Sequence, residues 1–330
     1  MKLISTLLSL AFSLAMFIAS IEMSKASTLE LISFFKVIAM HPLPVPKSTT
    51  FKSSLDKFMT DEIEEQLQNM GIKKLISSCY KESNIDLFNS TSSNGGYYYI
   101  YTGTETENVI PSNSDLVYFK EDGDFRSSES INLLKEADIV VSNPPFSLFR
   151  EYVAQLIKYN KTFLIIGNIN AITYKEIFNL IKENKVWLGI NLGRGISGFF
   201  VPEHYELYGT EARIDNMGNR IVSPNNCLWL TNMDNAKRNE GIILTKRYKG
   251  NESEYQRYDN YDGININKTQ DIPMDYAGFM GVPITFLHKF NPNQFEIIQF
   301  RKGDNGKDLS INGKCPYFRI LIKNRQITCI

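Results

Sequence analysis

The apolar run Ala137-Asp138-Ile139-Val140-Val141-Ser142 stops at Asn143-Pro144-Pro145-Phe146, and that stop constrains the fold more than any other stretch of the chain. Proline has no N–H to give a sheet ladder, and it pushes the residue before it out of helical geometry. A strand must therefore end at Asn143 and its backbone must turn outward. Beyond the loop, Leu148, Phe149, Tyr152, Val153, Leu156 and Ile157 recur at helical spacing, which predicts a helix over 147–160. Strand, stiff polar-aromatic loop and helix, in that order, put the loop at the carboxyl edge of an open α/β sheet, where ligands bind.

The same rhythm runs on both sides of the loop. Upstream, Leu55, Phe58, Met59, Ile63, Leu67 and Met70 predict a helix capped by Gly71, followed by strands at 72–79, 97–101 and 116–119 and a short helix at 128–135. The aromatic run Tyr97-Tyr98-Tyr99-Ile100-Tyr101 reads as sheet packing rather than as a stacking platform. Downstream come strands at 163–166 and 186–190 with a helix at 174–183 between them. Alternating strand and helix predict a doubly wound, mostly parallel sheet.

Past residue 200 the pieces shorten. Extended segments are expected at 226–231 and 242–244, then a long surface excursion over 249–275, and finally a compact piece with a helix at 292–300 and a strand at 317–322. Residues 1–27 read as a signal-like leader, with Lys2 ahead of an uncharged run and Ser24-Lys25-Ala26 as a cleavage site. His41-Pro42-Leu43-Pro44-Val45-Pro46 favours extended chain, so 28–53 read as a linker.

Composition narrows the chemistry. Lys plus Arg and Asp plus Glu are equal at 36 each, so any affinity for nucleic acid must come from a local basic face. Arg301, Lys302, Lys307, Lys314, Arg319 and Lys323 could form one, although Asp304 and Asp308 interrupt them. Cys79, Cys227, Cys315 and Cys329 are scattered without a C-x-x-C pair, which favours buried free thiols and no metal. Gly193-Arg194-Gly195-Ile196-Ser197-Gly198 fits G-x-G-x-x-G, but extended chain follows where a dinucleotide site needs a helix, so a flexible loop is expected.

Asn143-Pro144-Pro145-Phe146 has a clear use if an amino group on a flat ring is to be methylated. The nitrogen lone pair is delocalised into the ring until both N–H groups are held by acceptors. The Asn143 side-chain oxygen and the Pro144 carbonyl can serve, with Pro145 stiffening the loop and Phe146 stacking on the ring. An adenine in duplex DNA must first be flipped out of the stack to reach such a loop. A planar amide such as glutamine also fits between Asn143 and Phe146.

Asn-Pro-Pro-Phe after an apolar strand resembles the catalytic motif of N6-adenine DNA methyltransferases. The run from Gly123-Asp124-Phe125-Arg126-Ser127-Ser128-Glu129-Ser130 to Phe149-Arg150-Glu151 resembles the EcoRI-type adenine-specific modification methylases. So do Trp187-Leu188-Gly189, the run from Val201 to Glu211, and Ile311-Asn312-Gly313-Lys314-Cys315-Pro316-Tyr317. The resemblance implies methyl transfer from S-adenosylmethionine to N6 of adenine, as the modification half of a restriction–modification system.

It further implies that Asn143, Pro144, Pro145 and Phe146 grip the target base and that Asp124 and Phe125 sit by the adenine ring of the cofactor. The implied partner is double-stranded DNA with a flipped adenine, met by a cytoplasmic monomer with no membrane role for its core. The implied fold is α/β: a doubly wound, Rossmann-like sheet of the S-adenosylmethionine-dependent methyltransferase type over 54–245, with a smaller C-terminal α+β accessory or target-recognition segment over 246–330. The family's first strand and cofactor turn are not recognisable upstream of Gly71, so the sheet is expected to be N-terminally incomplete. A non-catalytic DNA-binding remnant is the corresponding alternative. The leader conflicts with a cytoplasmic setting.

Overall fold

The computed structural model describes residues 36–41, 74–80, 96–102, 116–189, 199–200, 207, 212–216, 218, 220–222, 226–234, 236–301, 308–315 and 318–327. The leader, the helix expected at 54–70 and the glycine loop at 193–198 lie outside them. The chain forms two compact units, one of Met1–Asn168 with Trp229–Met233 and the other of Ile169–Leu228 with Asp234–Ile330.

The first unit is built on one sheet. Its strands are β1 (Lys36–His41), β2 (Lys74–Cys79), β3 (Tyr97–Tyr101), β4 (Val117–Tyr118), β5 (Ile139–Ser142), β6 (Thr162–Asn168) and β11 (Cys227–Thr231), of which Trp229–Thr231 belong to this unit. Their order across the sheet is β4-β3-β2-β1-β5-β6-β11. β1 runs parallel to β2 on one edge and to β5 on the other, and β5 runs parallel to β6. β3 and β4 are added antiparallel.

β1 corrects two expectations. It falls inside the stretch read as a linker, and the sheet has the first strand it was expected to lack. Val37-Ile38-Ala39-Met40 is a short apolar run of the kind that a doubly paired parallel strand requires. Pro42 follows it one residue after its end, much as Pro144 follows β5. The prolines that suggested a linker are the strand's stop signal.

Two α-helices of this unit lie among the described residues. α1 (Ser128–Glu136) starts at Ser127, whose side-chain oxygen accepts the Ser130 N–H at 3.2 Å. Replacing Ser127 with alanine is expected to cost about 1 kcal/mol, checked by chemical denaturation. α2 (Phe149–Lys158) follows a 3-10 turn over Phe146–Leu148 and buries Phe149, Tyr152, Val153 and Leu156, the face its spacing predicted. Leu134, Val140, Val141, Phe149, Val153, Phe163 and Ile165 fill the core with almost no exposure. Tyr97 and Tyr99 are buried as well, in line with a packing role.

The second unit contains α3 (Lys175–Lys182), β7 (Trp187–Leu188), β8 (Phe199–Phe200), β9 (Ala212–Ile214) and β10 (Arg220–Val222), the last three joined antiparallel in the order β8-β10-β9. A second sheet here has the order β12-β13-β15-β14, from β12 (Gly263–Asn265), β13 (Phe279–Pro283), β14 (Phe295–Arg301) and β15 (Arg319–Asn324). Over 292–300 a strand replaces the expected helix. Phe295 and Ile297 are buried and Glu296 between them is exposed, so the period is two and β15 is the partner. The segment 242–244 is not a strand; the Gln294 amide holds both backbone groups of Ile242.

Candidate active site

Asp124, Phe125 and the Asn143–Phe146 loop all lie in the first unit. The chain passes from β1 to β2 on one side and returns, after β4 and α1, to β5 on the other. The topological switch point is therefore between β1 and β5, and the crevice outside their carboxyl ends is where an open α/β sheet takes its ligand. Ser142 closes β5, paired with Met40 of β1 and Ile165 of β6, so Asn143 is the first residue beyond that edge.

The loop has the geometry its sequence requires. Pro145 is extended at φ −57° and ψ 127°, and its carbonyl accepts the Leu148 N–H at 3.0 Å, which seats the 3-10 turn. Pro144 is buried, whereas the Phe146 ring is 39% exposed despite being a large hydrophobic group. The Asn143 side-chain oxygen is buried with no hydrogen-bond partner among the described residues. Buried polar atoms are nearly always paired, and an acceptor left unmet costs about 1–3 kcal/mol.

Asp124, Phe125 and Arg126 form a second cluster, whose hold is tight. The Asp124 Oδ1 accepts the Arg126 backbone N–H and Nε at 2.8 Å each, and Oδ2 accepts Nη2 at 2.7 Å. Arg126 Nη1 also reaches Glu151 at 3.4 Å. The Phe125 ring is buried edge-to-face on Tyr152, with centroids 5.0 Å apart, and its carbonyl accepts Gln155 Nε2 at 2.8 Å. Sequence reasoning assigned nothing to Arg126, Gln155 or the Tyr152 hydroxyl, since each reads simply as a surface charge, a surface amide or part of an apolar helix face.

The Arg126 hydrogen bonds hold the Asp124 carboxyl below its ordinary value of 3.8. A depressed carboxyl stabilises the fold above its unfolded pKa and loses that contribution as pH falls through the lower folded value. Below about pH 4 the pair should therefore weaken. In Arg126→Ala the Asp124 titration, followed by carboxyl NMR, is expected to return toward the ordinary value.

Other sequence candidates come out differently. Arg319 is buried, its guanidinium spent on Asn265 and Asn267 at 3.0 and 3.2 Å, so it cannot follow a phosphate. Arg301 lies over the Tyr261 ring, while Lys314 and Lys323 are exposed. Lys302, Lys307 and Arg194 are outside the described residues. Cys227 is half-buried and Cys315 exposed, where burial was expected. No helix among the described residues is long and apolar enough to cross a membrane.

Comparison with known proteins gives this arrangement a lineage. Residues 50–325 match the family model described as adenine-specific methyltransferase EcoRI. Type II methyltransferase M.EcoRI of Escherichia coli is 66% identical over 259 residues, covering 78% of this chain and 79% of its own length. Type II methyltransferase M.MgeORF184P of Mycoplasma genitalium is 40% identical over 226 residues, or 63% of this chain and 71% of its own. Type II methyltransferase M.MpnI of Mycoplasma pneumoniae is 32% identical over 281 residues, 80% and 82% respectively. No solved structure matches. A family match over most of the chain, with a strand-end Asn-Pro-Pro-Phe loop beside the switch point, establishes that this protein belongs to the EcoRI family of adenine-specific methyltransferases.

Proposed function

We propose that the chain transfers a methyl group from S-adenosylmethionine to N6 of adenine in double-stranded DNA, as the modification half of a restriction–modification system. The observation that carries this reading is the buried Asn143 Oδ1 with no partner among the described residues. An adenine amino group supplies the missing donor. Asn143 Oδ1 accepts one of its N–H bonds and the Pro144 carbonyl the other, which draws the nitrogen toward the pyramidal geometry a nucleophile needs. Phe146 stacks on the ring of the flipped base, and its exposure leaves that face open. The new N–C bond would form as the donor's methyl–sulfur bond breaks, with that electron pair left on sulfur, and one amino proton then leaves to solvent.

The residues present fit the methyl donor. Asp124 Oδ2 accepts from Arg126 Nη2, which leaves it acceptor capacity for an adenine amino group. S-adenosylmethionine, when bound, supplies a sulfonium-activated methyl group. Asp124 and Phe125 would hold its adenine end, beside the crevice between β1 and β5. The alternative of a non-catalytic remnant drew its support from a missing first strand, and Lys36–His41 removes that support. The glutamine alternative has no comparable observation behind it, since the family is adenine-specific. Residues 246–330 we assign to target recognition, and the chain to the compartment that holds DNA, working as a monomer.

Incubation of the purified chain with methyl-labelled S-adenosylmethionine and unmethylated duplex DNA tests the reading. Label is expected in the DNA. Label in protein, or bound donor with none transferred, would contradict it.

A further inference from the structure

One helix meets both halves of the site. α2 begins directly after the Asn143–Phe146 loop, and its successive turns grip the segment Asp124–Arg126: Glu151 reaches Arg126 at 3.4 Å, Tyr152 packs on Phe125, and Gln155 donates to the Phe125 carbonyl at 2.8 Å. Tyr152 also touches the strand end. Its hydroxyl is hydrogen-bonded to Ser142, the last residue of β5 and the neighbour of Asn143. Tyr152 and Ser142 are 3% and 2% exposed, so the bond is shielded from competing water. Burial pushes the Tyr152 ionisation upward, which keeps the hydroxyl neutral at every working pH.

We propose that Tyr152 is a positioning residue: its ring fixes Phe125 and its hydroxyl fixes Ser142, so that the methyl-donor segment and the base-gripping Asn143 are held at one spacing. The inference rests on the methyltransferase reading. In-line transfer depends on that spacing, and a displacement near 1 Å can cost about a hundredfold in rate. A packing role alone would need the ring and not the hydroxyl.

Tyr152→Phe keeps the ring and removes the hydroxyl, and Ser142→Ala cuts the same bond from the other side. Single-turnover methyl transfer, KM for DNA, calorimetric affinity for S-adenosylmethionine and thermal midpoint are measured for both single variants and the double. The expected result is a fall of about tenfold in the transfer rate of each single variant, with KM and cofactor affinity within about twofold of wild type. The double variant should be no slower than the slower single, because both remove one bond. Wild-type rates in the single variants, additive losses, or losses confined to KM would overturn the inference while leaving an active wild type. A wild-type chain that transfers nothing would instead contradict the methyltransferase reading, and the inference with it.

Discussion

Replacing Asn143 with alanine is expected to lower methyl transfer by about 10²–10³-fold while leaving the thermal midpoint unchanged or raised. The two halves of that expectation come from the same atom. Asn143 Oδ1 is buried without a partner among the described residues, so in the ligand-free fold it is a cost of about 1–3 kcal/mol, and its removal relieves that cost. In the transition state the same oxygen accepts from the amino group, and its removal there forfeits the stabilisation. A residue that merely closed a strand would show the opposite signature, with stability lost and chemistry unaffected. Calorimetric binding of S-adenosylmethionine to Asn143→Ala should stay close to wild type, because the donor is held elsewhere.

The second large effect is expected at Gly167, in β6. A Cβ there would lie 2.5 and 2.6 Å from two ring atoms of Phe149, far inside van der Waals contact. Phe149 cannot swing aside, since it is 1% exposed and opens α2 beneath the Asn143–Phe146 loop. Gly167→Ala should therefore destabilise the fold by about 1–3 kcal/mol in chemical denaturation, the scale of core overpacking. Because α2 must shift to relieve the clash, the transfer rate should fall as well. Phe149→Leu combined with Gly167→Ala makes room and should recover part of both losses, which a defect at Gly167 itself would not allow.

What could be read from the sequence follows from how local the signal is. The Asn143–Phe146 loop, α1 and α2 were legible because proline chemistry and apolar spacing act within a few residues. β1 was not, since six residues between an apolar leader and a proline stretch carry no periodicity of their own, and their strand identity is fixed by β2 and β5, which pair with them from far along the chain. In Phe295-Glu296-Ile297-Ile298-Gln299-Phe300 the apolar positions suit both a helix and a strand, and pairing with β15 decided for the strand. Arg319 was counted as a surface charge because a sequence does not show that two asparagines are waiting for it. The Tyr152 hydroxyl was hidden for a similar reason: its helical spacing accounts for the ring and says nothing of the oxygen, whose partner is ten residues earlier on β5.

If Asn143 and Phe146 present adenine N6 to a sulfonium methyl group, the product is fixed. Duplex DNA modified by the wild-type chain, digested to nucleosides and resolved by mass spectrometry, tests it directly. N6-methyladenine as the single modified nucleoside, lost in Asn143→Ala, is the predicted result. A methyl group on another base, or undiminished N6-methyladenine in Asn143→Ala, would contradict it.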